Sequence, residues 1–291
     1  MHINMKYYIV SIGAIFIALG IGMLVGFNLN YDQELSKQQE TIISDLDNKF
    51  EDLKTTNDNL EKSLATLNDE YDEVIEYINL NSDKLLVNEL EEKNIGIIST
   101  DKSEDYTNEV ETTITKANGN IAFNIVLLNT IYDAKKIQEV STKLNLEIKD
   151  TAGIIGYIIE CLKSEDGSSR LSYLQELEII KVNSISDNYT SYDSVVLTSQ
   201  RDSKTGKNQF EKIDKILIPK FKNEGKVLVG VQKSDANFSN IELYSKEKIS
   251  TVDNLEDGTG KVSLVAILKS GNINGNYGKL DSAESLIPYK K

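Results

Sequence analysis

Hydrophobic positions along the chain change their spacing twice, and each regime predicts a different element. From Tyr8 to Phe27, twenty residues pass without a charge. At about 1.5 Å rise per residue such a helix reaches roughly 30 Å, the thickness of a bilayer's hydrocarbon core, so the segment is expected to span a membrane. A cleaved secretion signal has a shorter apolar stretch, on the order of 7 to 15 residues, followed by a small-x-small cleavage site. Here the flank reads Leu24-Val25-Gly26-Phe27-Asn28-Leu29-Asn30, so residues 1–30 are predicted to remain as an anchor. Ala14, Ala18, Gly22 and Gly26 recur at every fourth position. They line one helix face, where small side chains let a second backbone approach closely, and are the expected membrane-helix packing residues. Lys6 precedes the span, and Asp32 and Glu34 follow it. That bias sets the N-terminus inside and residues 31–291 outside a bacterial cytoplasmic membrane.

Past the span, apolar residues recur at alternating spacings of three and four from Ile43 to Ile78, which is a heptad repeat. Ile43, Phe50, Asn57, Leu64, Tyr71 and Ile78 take the a positions; Leu46, Leu53, Leu60, Leu67 and Val74 take the d positions. No Gly or Pro interrupts them, and at about 1.5 Å per residue the repeat is roughly 54 Å long. A Leu-rich d series with one polar Asn57 at a suits a parallel two-stranded coil, because paired buried Asn side chains satisfy each other in one register only. A helix packed on its own globular domain would show a wider apolar face than this two-in-seven stripe. Residues 31–93 are therefore read as a coiled-coil stalk and the chain as a parallel homodimer. Lys49 at g would face Lys54 at e of the partner, an unfavourable pair left to solvent.

Residues 94–291 carry the third element type. "NIGIIST", "IAFNIVLL", "SVVLTS" and "KVLVGVQ" are short apolar runs read as buried strands. "EDYTNEVETTITKANG" between the first two reads as a helix closing on Gly119. "KNQFEKIDKILIPKFKNEG", with Phe210, Ile213, Ile216, Leu217 and Phe221 at helical spacing, separates the last two. "TAGIIGYIIECL" and "LSYLQELEII" read as further helices. Alternation of strands and helices predicts an α/β, Rossmann-like domain with a mostly parallel sheet covered on both faces. "GNINGNYG" at residues 271–278 reads as a turn cluster capping the last helix.

Composition narrows the chemistry. A net charge of -14 repels phosphate backbones, so no nucleic-acid partner is expected. The single cysteine, Cys161, forbids an intrachain disulfide, and its setting in "IIGYIIECL" reads as a packed small hydrophobe. No phosphate-binding Gly motif follows a strand, and "SQRDSKTGK" lacks the spacing. The only histidine, His2, lies before the span, which rules out a Ser-His-Asp triad in the outer domain. Asp253, Glu256 and Asp257 in "DNLEDGTG" have no EF-hand spacing, since position 12 of such a loop would be Leu264, and a solvated turn is expected there. No catalytic, cofactor or metal residue is predicted, and the chain is expected not to be an enzyme.

Two stretches, "IVSIGAIFIALGIGMLVG" and "ISTVDNLEDGTGKVSLVAILKSGNINGNYG", resemble the MctB-like copper transporter family of mycobacteria. The resemblance extends to the order of parts: one N-terminal span, a coiled coil, then an α/β domain ending in a "STVD" strand, a helix and a Gly-rich turn with Tyr-Gly. It implies copper homeostasis, with copper moved out across the cell envelope, and related actinobacterial proteins imply a link to septal envelope assembly. On the residues alone, copper(I) needs thiolate, thioether or imidazole ligands, and after Met23 the chain has no Met and no His. The alternative is thus a non-enzymatic dimeric scaffold that engages envelope or cell-division proteins.

Overall fold

The computed structural model describes residues 5–100, 106–199, 206–236 and 238–289, with the side chains of 28–34 outside that description. His2, the first residues of "EDYTNEVETTITKANG" and residues 200–205 within "SQRDSKTGK" lie outside the described residues. Two compact units result, Met1–Asp72 and Glu73–Lys291.

The first unit is helical: α1 covers Met5–Leu86, as expected of a run with no Pro and with Gly only inside the apolar span. Its segment Met5–Phe27 is long and apolar enough to cross a membrane, and none of it is buried. The compact distal unit starts at Glu73, and Ser82, Leu86 and Leu90 are already buried within it.

In the distal unit β1 (Asn94–Ser99), α2 (Thr107–Lys116) and β2 (Asn120–Leu127) come first. The helices α3 (Ala134–Leu144), α4 (Thr151–Cys161) and α5 (Gly167–Glu176) lead to β3 (Ile180–Ile185). Then follow β4 (Ser194–Thr198), α6 (Gly206–Lys212), α7 (Asp214–Asn223) and β5 (Val227–Val231). The chain closes with α8 (Ile241–Lys246), β6 (Ser250–Val252), α9 (Gly258–Ser270) and β7 (Asn276–Tyr277). The seven strands lie in the order β3-β2-β1-β4-β5-β6-β7. Every neighbouring pair is parallel except β2 with β3, so this is a mixed α/β fold with a mostly parallel sheet.

Period-two alternation buries both sheet faces. Along β4, Val195 and Leu197 point into a core shared with α3 to α8, and Val196 points into a second core with α2, α9 and the end of α1. Strands covered on both sides read as continuous apolar runs, which is why β1, β2, β4 and β5 were visible in the sequence.

Four local readings are corrected. "LSYLQELEII" is not one helix: α5 stops at Glu176, Glu178 takes a left-handed φ of 59°, and Ile180 opens the antiparallel edge strand β3. The segment between β4 and β5 forms two helices, broken at Ile213, beside which the buried Asp214 carboxylate receives the Tyr244 hydroxyl at 2.6 Å. The left-handed residue ending α2 is Asn118 (φ 60°), not Gly119. The 271–278 cluster caps α9 through Gly271 (φ 70°) but also supplies the seventh strand, β7.

Candidate functional site

Three places carry candidate surfaces: the helical seam, the carboxyl edge of the sheet, and the C-terminal signature segment. On α1 the heptad residues Ile43, Leu46, Phe50, Leu53, Leu60, Leu64, Leu67, Tyr71 and Val74 are all exposed, from 53% at Tyr71 to 74% at Phe50. Asn57, at its a position, donates to Glu61 Oε1 at 3.0 Å. Ile78, in the distal unit, is half-buried, and Ala14, Ala18, Gly22 and Gly26 are exposed. Fully solvated large apolar side chains in a continuous stripe are unfavourable by about 25 cal/mol per Å² of apolar surface, which is the driving force for a partner helix.

In open α/β sheets ligands sit outside the carboxyl ends of the strands where strand order reverses, here between β1 and β4. Tyr106 spans this edge. Its hydroxyl accepts the Ser199 N–H at 3.1 Å and lies 2.9 Å from the Val231 carbonyl and 3.0 Å from that of Ser199. Asn240 Nδ2 donates to Ser199 Oγ at 2.7 Å, and Gln232 Oε1 accepts the Asn240 N–H at 3.1 Å. Thr100 Oγ1 donates to Asp214 Oδ1 at 3.2 Å. Lys233 lies over the Tyr106 ring at 5.7 Å and pairs with Glu109 at 3.0 Å, a hydrogen bond that pushes the lysine pKa up. Most of the described polar groups at this edge bond to one another and form a packed polar layer over the sheet, while the buried Thr198 hydroxyl at the end of β4 has no partner among the described residues.

The signature segment is built around Asp253, which follows β6. Its buried carboxylate accepts the Lys279 N–H at 2.7 Å and the Leu280 N–H at 3.1 Å, and its own N–H donates to the Tyr277 carbonyl at 3.1 Å. Burial, first, pushes the Asp253 carboxyl above the usual range, and the two backbone N–H groups oppose it. Gly278, at φ 138°, makes the approach possible, since a Cβ there would overlap the Asp253 carboxylate. At the start of α9 the Thr259 N–H donates to Asn79 Oδ1 of α1 at 3.3 Å. A Cβ on Gly258 would stand only 2.6 Å from Asn79 Cα. This clasp ties the last turns of α1 to α9 within the distal unit.

The solvated turn expected at Asp253–Gly260 is therefore corrected. Asp253 and Asn254 are fully buried, because backbone donors satisfy a carboxylate that would otherwise not leave water. The three carboxylates go separate ways: Glu256 accepts the Ser234 N–H at 3.1 Å and Asp257 pairs with Lys279 at 2.6 Å. Sequence reasoning missed Asn79, Tyr106 and Asp214. Gly278 after Tyr277 was the one readable sign of a close approach to Asp253.

The family described as "Copper transport outer membrane protein, MctB" matches residues 2–288. The chain belongs to the MctB family. No curated protein matches it. Membership makes it a copper transport-related membrane protein, and the apolar helix Met5–Phe27 fits that setting.

As an MctB-family member the chain can be asked what it offers copper as cargo. Soft-metal donors are His2, Met1, Met5 and Met23 at the N-terminus and Cys161 in α4. Cys161 is fully buried, and burial pushes its thiol up to about 11, which keeps it protonated and unreactive at neutral pH. Among the described residues no three His, Cys, Asp or Glu side chains gather where they could hold a metal.

Proposed function

We propose that this MctB-family protein serves copper homeostasis of the cell envelope as a non-enzymatic scaffold. It would be anchored by one span with its N-terminus inside and pair in parallel through the stalk, with the Ala14/Ala18/Gly22/Gly26 face packing in the membrane. The Rossmann-like domain would then be presented outside the cytoplasmic membrane to envelope or septal proteins. The observation that carries this reading is the open heptad seam on α1: a stripe of exposed Leu, Ile, Val and aromatic side chains with one polar a position. The order β3-β2-β1-β4-β5-β6 supports the Rossmann-like description. An open sheet with helices on both faces offers lipid no apolar band of the kind an outer-membrane barrel needs, which favours the single helix as the anchor.

A second reading, direct efflux of copper by this chain, is favoured by the family description. Copper tolerance and cell copper content of a deletion strain separate the two. Complementation would use the wild-type chain, a seam-broken Leu60→Glu/Leu67→Glu chain, and a donor-free His2→Ala/Met5→Leu/Met23→Leu/Cys161→Ala chain. The scaffold reading expects the deletion strain to be copper-sensitive, with tolerance restored by the donor-free chain and not by the seam-broken chain. Failure of a folded donor-free chain would transfer the role to direct copper handling. Unchanged tolerance in the deletion strain would remove copper and leave the envelope scaffold.

A further inference from the structure

The last turns of α1 within the distal unit sort their side chains onto three faces. Asn79, Ser82 and Leu86 turn toward the domain, where Asn79 meets Thr259 and Leu86 joins the second core. Val74 and Ile78 continue the d and a positions of the seam. A third face, at the c, f and g positions, carries Glu73, Glu76, Tyr77 and Leu80 at spacings of three and four. Tyr77 is 63% and Leu80 76% exposed, and both acids are exposed. The domain leaves these side chains exposed; Glu73, Glu76 and Leu80, at c and f, lie away from a two-stranded seam, and Tyr77, at g, stands at its margin.

Charge decides what would. Residues 31–93 hold 18 acidic and 6 basic side chains, a net -12 of the chain's -14, and residues 63–83 contain six acids and no Lys or Arg. A field of that sign repels anionic lipid and nucleic acid and steers basic protein surfaces inward. Two large apolar anchors about one helical turn apart match the i, i+3/i+4 spacing of a facing amphipathic helix.

We propose that this face docks an amphipathic helix of a partner protein, its apolar residues covering Tyr77 and Leu80 and its flanking Lys or Arg side chains meeting Glu73 and Glu76. The inference deepens the scaffold reading and rests on it for the presence of a partner.

The test uses the full-length chain in zwitterionic nanodiscs. The probe is a fluorescent Leu/Lys peptide of about 20 residues with Leu at i, i+3, i+4 and i+7, compared with a scrambled peptide of the same composition. Fluorescence anisotropy is expected to show binding that weakens with salt. It should fall about tenfold or more in Tyr77→Ala/Leu80→Ala and in Glu73→Gln/Glu76→Gln, each anchor pair being worth about a factor of ten or above. The control Glu51→Gln/Asp52→Asn removes the same charge elsewhere and should bind nearly as wild type. No binding, equal binding of the scrambled peptide, or unchanged binding by Tyr77→Ala/Leu80→Ala overturns the proposal. Light scattering on the same samples keeps the two readings apart. A dimer that binds no peptide sinks the docking face alone, and a monomer that binds it normally sinks the parallel pair alone.

Discussion

Replacing Gly278 with Ala strikes the clasp at its tightest point. The residue holds φ 138°, and its new Cβ would overlap the Asp253 carboxylate. A side chain in that backbone region costs on the order of 1–3 kcal/mol. Displacing the carboxylate leaves the Lys279 and Leu280 N–H groups short of an acceptor, a further loss of about 1–3 kcal/mol. The sum, roughly 2–6 kcal/mol, corresponds to a fall of about 10 °C in Tm for a unit of this size. The chain has 14 Tyr and no Trp, so near-ultraviolet circular dichroism of the tyrosines in full-length, detergent-solubilised protein reports the transition. Hydrogen exchange at the Lys279 and Leu280 amides reports the clasp itself. Asp253→Ala on its own should cost about 1–3 kcal/mol by the same loss of acceptors. In the double variant the overlap disappears, so the two changes should cost less together than separately by about 1 kcal/mol or more. A Gly278→Ala chain melting within about 2 °C of wild type, or strict additivity of the two changes, would refute the reasoning.

Cys161 should resist thiol reagents in the folded protein at neutral pH and react at once on unfolding. Because its pKa is raised from 9.0 to about 11, its contribution to stability is complete below about pH 9 and is lost as pH rises through 11; Cys161→Ala should flatten that decline in urea titrations. Asn57→Ile should raise the melting temperature of the stalk and broaden its oligomer distribution, read by light scattering, since the polar a position trades stability for register. For Asp253 the pKa is raised above 3.8, so its contribution is fully present below that value and fades as pH rises through the folded pKa. The stability advantage of wild type over Asp253→Asn should therefore be larger near pH 3 than near pH 6, and an advantage that grows with pH would contradict the assignment.

What the sequence disclosed depended on where the signal resides. The heptads, the span and the four central strands announce themselves through side-chain periodicity, because each buries or exposes a whole face. Strand β3 does not: Ile180 and Val182 alternate with Lys181 and Asn183 as an edge strand should, and the turn before it uses Glu178 in place of Gly, so no punctuation separates it from α5. Strand β7 is two residues long. The clasp is hidden for another reason, since Asp253 is satisfied by backbone N–H groups and Asn79 reaches Thr259 across 180 residues. Backbone donors carry no residue identity, and only Gly278 and Gly258, forced by close approach, leave a trace.

The placement of charge would link the proposed seam to the proposed docking face. In the proposed parallel pair, two stalks of net -12 each would repel one another, and a Debye length of about 8 Å in physiological salt would screen this only in part across a helix pair. A dimer selected for stability alone would use acid and base in balance at the positions flanking the seam. Here most acids between Ile43 and Ile78 fall on the outer positions, among them Asp69, Glu73 and Glu76 at f and c, while Asp47, Glu61 and Glu70 flank the seam at e and g; the outer acids would add little to pairing and still carry the self-repulsion. Asp83 and Glu89 are offset by ion pairs with Lys116 and Lys269; the cost that Asp69, Glu73 and Glu76 would add to a pair is explained if their acidity acts on a third molecule. Because a and d residues would hold the pair while c and f residues face outward, Leu60→Glu should abolish pairing and Leu80→Ala, at c, should leave it intact. If Leu80→Ala instead yields monomers in light scattering, the third face belongs to the dimer interface, and the separation of the two roles fails.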